Sequence, residues 1–369
     1  MVKIMKFSNI SFYLLLFFIV ASVIQIPYVF GRIYAMEVLL CLAFISLIAF
    51  KKTLKVDYDS IIHLLFGSLL SIYVSFFSIE LFFSTWIFYF LSFFFIYNFS
   101  KVLDEKQIIK IIFYFLIFHH FFQLSGLLFG VDLFGFGKQG LFANPNNFGL
   151  FSAYCFLLSL FLFKISNYKK FSCLSLIICF LMVIFSVSRL CILLVVFVSL
   201  SFFIYDFFIK GKYKNISSYI FIIFLISLLI TSYYLGYFNQ IFEKNNAVDD
   251  VGDLSNGRLD MWISAIDRIT LWGNGVDFYK YMDTTVHNNY LHVSVVYGLL
   301  ISLNFLFLYC YFLLKSLIIF YKRKDIFIFT AIISTLFLMI FWCFEVGSSL
   351  FVVWFNFLLI GYAVNRSRF

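Results

Sequence analysis

The feature that most constrains this chain is a succession of apolar runs, each about long enough to cross a bilayer and each with Lys or Arg near one end. About 30 Å of hydrocarbon takes about 20 residues of helix. Backbone groups in lipid must be paired within the segment, so such runs fold as helices rather than as isolated strands. The runs lie near 10–30, 34–50, 60–77, 79–99, 108–130, 148–163, 171–188, 190–208, 216–237, 290–314, 325–344 and 348–364. The expected fold is therefore an all-α, polytopic integral membrane protein of about twelve transmembrane helices, with residues 1–369 forming a single transmembrane domain. Composition agrees: 64% of residues are hydrophobic and 12% charged, against about 45–50% and about 25% in a soluble domain. One water-soluble core cannot bury that excess. The first run follows Lys3 and Lys6, is long and lacks an A-x-A site, and reads as an uncleaved first helix.

Charge sets the orientation. With the N-terminus in the cytoplasm, the outer segments hold Arg32, Lys138, Arg189, Lys244, Arg258, Arg268 and Lys280, and the other 20 of the 27 Lys and Arg fall inside. That alternation follows the positive-inside rule and puts both termini in the cytoplasm. The net charge of +9 is then a topology signal and not the footprint of a nucleic-acid partner. The seven outside cations run against the rule. Either they have a task, or the outer segments simply tolerate them.

Residues 238–287 form the one large hydrophilic segment, a loop on the outer face. It carries Glu243, Asp249, Asp250, Asp253, Asp260, Asp267, Asp277 and Asp283 against four bases. Leu259, Trp262, Ile263, Ile266 and Ile269 recur at helical spacing, which predicts an amphipathic helix near 258–272 lying on the membrane surface. Ser255-Asn256-Gly257 marks its start. Arg258 then stands in the first turn beside free backbone N–H groups, an arrangement suited to an anion such as a pyrophosphate; the plainer alternative is a snorkelling Arg. Next comes V-H-N-N-Y-L-H at 286–292, at the mouth of the following span. A neutral imidazole there can take a proton from a hydroxyl, so His287 is a candidate general base. His292 reads more simply as a satisfied helix histidine.

Three further features stand out. Asn144 as N-cap and Pro145 at the first helical position explain the start of the span near 148, whereas Asn146 and Asn147 stand at its outer mouth, placed to hydrogen-bond a sugar. Arg189 lies in S-V-S-R-L between two apolar runs, where a cation needs a partner; a phosphate would serve, and so would a carboxylate such as Glu345 or Glu80. His119, His120 and Gln123 make a mid-span polar cluster with no chemistry assigned. The seven cysteines fall in apolar runs without a C-x-x-C and read as small hydrophobes rather than as a disulfide frame or zinc site. Asp249, Asp250 and Asp253 lack a His or Glu at ligand spacing, and no Gly-rich phosphate-cradling loop occurs.

Taken in order, L-F-A-N-P-N-N-F-G at 141–149, S-V-S-R-L at 186–190, N-G-R-L-D-M-W with W-G-N-G-V at 256–276, and H-N-N-Y-L-H-V-S-V-V-Y-G at 287–298 resemble the O-antigen polymerase and O-antigen ligase superfamily. The resemblance covers roughly residues 135–305, with the twelve-helix layout extending it. It implies a metal-independent glycosyltransferase without cofactor, in the bacterial inner membrane, with its active site facing the periplasm. Its partners would be an undecaprenyl-diphosphate-linked oligosaccharide and membrane lipid, and it leaves a chain-length regulator open as a further partner. Position by position, Arg189 and Arg258 match the diphosphate-binding arginines and His287 the catalytic histidine. Asn144, Asn146, Asn147, Asn288 and His292 fall among residues that contact glycan or shape the site. The family pattern expects Gly, Thr or Tyr three residues after Gly298, and this chain has Ile301.

The chemistry is consistent with that assignment. Two arginines can stabilise charge developing on a leaving diphosphate, and a base deprotonates the acceptor hydroxyl. The expectation is a polymerase moving the growing glycan onto the next lipid-linked repeat unit. The alternative is a ligase moving finished glycan onto lipid A-core, which the Ile301 departure disfavours. A lipid-linked oligosaccharide transporter would also suit twelve helices, but no half-repeat is visible. A purely structural scaffold leaves the outside arginines and His287 unexplained.

Overall fold

Apolar runs bounded by polar residues become helices at nearly the expected positions. The computed structural model describes residues 58–75, 90–100, 103–129, 145–165, 167–211, 258–275, 286–345 and 350–366, with a few isolated positions between 226 and 236. Its helices are α1 (Tyr58–Ser75), α2 (Ser92–Ser100), α3 (Glu105–Phe129), α4 (Pro145–Ile165), α5 (Lys169–Phe185) and α6 (Arg189–Ile204), the last continued by a π-helical turn over Tyr205–Ile209. Then follow α7 (Arg258–Ile266), α8 (Asn289–Val296), α9 (Leu299–Arg323), α10 (Ile326–Phe344) and α11 (Leu350–Arg366). No strand occurs among the described residues. The spans expected near 10–30, 34–50, 79–99 and 216–237 lie wholly or mostly outside the described residues, as does the greater part of the outer loop.

The chain is an all-helical protein with membrane-compatible segments. Among the described residues, Asn146–Ile165, Arg189–Ile209, Leu299–Arg323 and Ile326–Phe344 are long and apolar enough to cross a bilayer. Leu193, Phe208, Phe307, Leu314 and Ile318 are more than half exposed. Apolar surface of that extent needs lipid or a partner to cover it.

The helices fall into two compact units, residues 1–118 with 261–369, and residues 119–260. In the first, α2 packs on α1 and α11, α9 on α1, α10 and α11, and α8 on α9 and α10. Its centre is aromatic. Phe93 and Tyr97 each lie 5.0 Å from Phe312, Phe357 stands edge-on to Phe93 at 5.0 Å, and Trp342 stands edge-on to Tyr309 at 4.9 Å. Polar clamps add direction to this packing, as expected where lipid gives helices no hydrophobic reason to associate. Asn356 on α11 donates to Ser334 and Thr335 on α10 at 2.9 and 3.0 Å. Asn98 on α2 donates to Ser60 on α1 at 2.9 Å. Asp59 on α1 accepts from Tyr311 and Lys315 on α9 at 2.7 and 2.6 Å. In the second unit α4 packs on α5 and α6, and the half-buried Lys164–Asp206 ion pair joins the end of α4 to the π-helical turn.

Two sequence expectations need correcting. The amphipathic helix near 258–272 ends at Ile266. Beyond it the chain tightens through Arg268 N–H to Ala265 O and Ile269 N–H to Ile266 O, both 3.1 Å, and turns at Gly273 with φ +85. The single span expected over 290–314 is broken: α8 stops at Val296 and α9 restarts at Leu299 and runs to Arg323. The cause is Gly298, whose φ of +100 is incompatible with a continuing helix.

Candidate functional site

The break between α8 and α9 is held by a backbone joint. Asn274 N–H donates to Val295 O at 2.7 Å, Gly275 N–H to Val296 O at 3.0 Å, and Leu299 N–H to Thr270 O at 3.0 Å. A β-carbon on Gly273 would meet Val296 O at 2.4 Å, and one on Gly298 would meet Leu271 O at 2.5 Å. The joint therefore requires glycine on both sides. The Asn274 side chain closes it by donating to Arg268 O at 2.7 Å. Two motifs distant in sequence, W-G-N-G and the glycine ending H-N-N-Y-L-H-V-S-V-V-Y-G, are thus two halves of one contact. On the other flank, Trp262 of α7 donates its indole N–H to Val286 O at 2.8 Å. Ala265, Val286 and Val295 form the small apolar core between them.

This frame presents His287. The residue directly follows the carbonyl held by Trp262 and takes φ +48, a left-handed conformation that costs a non-glycine residue about 1–2 kcal/mol. Asn288, immediately after it, is the N-cap of α8: its Oδ1 accepts from Leu291 N–H at 3.0 Å, while its Nδ2 donates to Cys343 O at 3.0 Å. One side chain thus starts α8 and fastens it to the C-terminal end of α10. Two residues past that carbonyl is Glu345, the C-cap of α10. Its Oε2 lies 3.2 Å from His287 Nδ1, with the carboxylate side chain 10% exposed and the imidazole 33%. An ionised carboxylate only accepts hydrogen bonds, so the ring proton belongs on Nδ1. Nε2 is then left with a lone pair on a ring whose orientation is fixed. That is the arrangement a general base requires, and the exposure of the ring leaves it accessible.

The second unit contains another joint between motifs. Gly149 on α4 lies against the Ser186–Ser188 corner between α5 and α6: a β-carbon there would meet Ser186 Oγ at 2.5 Å and Cys191 Sγ at 3.0 Å. Ser186 Oγ donates to Val183 O at 2.6 Å, and Val187 turns the corner at φ +52. Left-handed φ at a β-branched residue is rare, so this corner is sterically specified. Ser188 Oγ donates to Cys191 Sγ at 3.1 Å, and that thiol approaches Asn146 O at 3.8 Å. The corner delivers Arg189 as the first, exposed residue of α6.

The other expected site residues are placed as follows. Arg258 opens α7, as the start signal implied, one turn before Trp262. Asn146 and Asn147 lie half-buried in the first turn of α4, which begins at Pro145 as expected; Asn144 lies outside the described residues. His292 is half-buried with its ring 6.2 Å from Tyr297. His287, Asn288 and Glu345 are brought together within one unit. Two residues emerge that sequence reasoning did not place here. The sequence offers Glu345 only as a partner for Arg189. Asn289, 2% exposed and next to the N-cap, has no hydrogen-bond partner for its Nδ2 among the described residues. Its only sequence signal is the doubled Asn after His287. Ile301 is buried with Val293 and Val296, and Leu70 packs against them, so the departure from the family pattern fills an apolar seam.

Comparison of the chain with protein-family models and with curated proteins finds no match.

Proposed function

We propose that this protein is a membrane glycosyltransferase of the O-antigen polymerase kind. It would move a growing glycan from a polyprenyl diphosphate onto the next lipid-linked repeat unit at the outer face of a twelve-span bundle. The observation that carries the reading is the His287–Glu345 pair: an accessible imidazole with Nδ1 tied to a buried carboxylate, on a strained residue at the mouth of a broken helix. Strained backbone of this kind clusters at functional sites.

In this reading Nε2 of His287 removes the proton from the acceptor hydroxyl as its oxygen attacks the anomeric carbon. The glycosyl–diphosphate bond breaks and the diphosphate departs with its electron pair. Glu345 stabilises the imidazolium. Arg189 and Arg258, each the first residue of a helix, offer guanidinium groups beside helix N-termini, where backbone N–H groups also favour an anion. The proton held on His287 is later released to water. Asn288 positions the histidine rather than touching the glycan.

Deletion of the gene, with surface lipopolysaccharide run on a gel, tests the proposal. A core band carrying a single repeat unit is the expected result. Bare core with polymer accumulating on its lipid carrier would make the chain the ligase, and an unchanged ladder would remove both readings.

A further inference from the structure

The mid-span histidines, to which the sequence assigned no chemistry, form the one group of described His, Cys and carboxylate residues close enough to share a metal ion. His119 and His120 lie in the second half of α3. Successive residues on a helix point about 100° apart, yet these two rings turn so that their Nδ1 atoms are 3.2 Å from each other. Cys179 of α5 completes the group, with all three ligand atoms within 4.8 Å of one another and all three residues buried. A hydrogen bond between two neutral imidazoles accounts for the nitrogen separation alone. The Cys179 thiol, whose hydrogen-bonding neighbour is Cys155, lies at the same centre as both rings. Two imidazole nitrogens bound at about 2.0 Å and at the roughly 120° of a three-coordinate ion would lie about 3.5 Å apart, so the observed 3.2 Å is within a few tenths of an ångström of two ligands on one ion.

The surroundings orient the group as a metal site is oriented. His120 Nε2 is 2.6 Å from Ser175 Oγ, Ser175 Oγ is 2.6 Å from Ser159 Oγ, and Ser159 donates to Cys155 O at 2.7 Å. With Nε2–H donating into that chain, the Nδ1 lone pair of His120 faces the centre. Hydrogen bonds of this kind fix the tautomer of a ligating histidine. The Phe151 ring packs against His119, tilted by 31° with centroids 5.0 Å apart, and walls the group. We propose that His119, His120 and Cys179 bind a soft univalent cation, copper(I), in a three-coordinate site that fastens α3 to α5.

Charge selects the ion. A net charge in a buried apolar setting is costly. Copper(I) with one thiolate and two neutral imidazoles sums to zero. Zinc would need a second thiolate, and the neighbouring Cys155 is not among the three residues whose ligand atoms converge. On binding, the Cys179 S–H bond breaks, a sulfur–copper bond forms and one proton leaves for solvent; no electron moves. With all its positions taken by protein, the ion is structural and takes no part in glycosyl transfer.

The test uses the purified full chain, reduced and anaerobic, titrated with copper(I) against a chromophoric copper(I) chelator. One equivalent retained per chain is expected, with X-ray absorption showing two nitrogen and one sulfur neighbours. Cys179→Ser should weaken retention at least about tenfold, and Ser175→Ala by about tenfold. Cys173→Ser, an exposed position on the same helix, should leave retention unchanged. No stoichiometric retention overturns the proposal, as does wild-type retention by Cys179→Ser. A wild-type absorption spectrum without sulfur overturns it even if the variants fail to fold. Uptake of zinc in preference to copper(I) overturns the choice of ion.

Discussion

Replacing Glu345 by Gln tests the histidine–carboxylate pair directly. The amide oxygen can still accept from His287 Nδ1, so the ring should keep its place, but the charge that stabilises the imidazolium is lost. Unit charges 3.2 Å apart attract by about 5 kcal/mol at an effective dielectric of about 20, before desolvation is counted. The net contribution of a hydrogen bond to a charged group is smaller, about 1.5–3 kcal/mol. At about 1.4 kcal/mol per tenfold in rate, its loss slows transfer by about 10- to 150-fold. The assay is polymerisation of a synthetic polyprenyl-diphosphate-linked repeat unit by protein in nanodiscs. The fall should lie in kcat, with KM for the donor within about twofold of wild type, because the interaction forms only as the proton moves. Because the two residues act as a unit, His287→Ala/Glu345→Gln should be no slower than His287→Ala alone. A Glu345→Gln rate within about twofold of wild type, or additive losses in the double variant, would refute the reasoning.

Asn288→Ala removes the N-cap of α8 and its tie to Cys343 O, and should cost about 1 kcal/mol in thermal unfolding together with a larger loss of activity, since His287 loses its support. Gly298→Ala must accommodate φ +100 and a β-carbon 2.5 Å from Leu271 O; about 1–3 kcal/mol of strain should appear as a lower unfolding temperature in detergent. Asp206→Asn leaves the half-buried Lys164 ammonium without its charged partner and should destabilise the protein by about 1–3 kcal/mol, read by the same unfolding measurement.

The helices were legible because apolar runs with Lys or Arg near one end are a composition signal that needs no tertiary information. Thus α3 at Glu105–Phe129 and α10 at Ile326–Phe344 fall within a few residues of the runs that announced them. The break at Gly298 was not legible in that way. Hydropathy stays high on both sides of it, and the break depends on a backbone joint with Gly273, a partner far off in sequence. For the same reason the helix expected over 258–272 is shorter in the structure, ending at Ile266. Its apolar spacing continues to Ile269, but the chain must turn earlier to bring Asn274 and Gly275 onto α8. At the site, His287 could be singled out from its position at a helix mouth. Glu345 could not be assigned to it, because nothing local distinguishes a partner for His287 from a partner for Arg189. Cys179 read as one more apolar cysteine, and only the packing of α3 beside α5 sets it against the paired histidines.

The most direct measurement returns His287→Ala to a deletion strain at wild-type membrane abundance, with the surface lipopolysaccharide resolved on a gel. Loss of a general base lowers the rate by about 10²–10⁴-fold, so the account predicts core carrying a single repeat unit and no ladder. A full ladder from that variant would contradict the central claim that His287 carries the transfer.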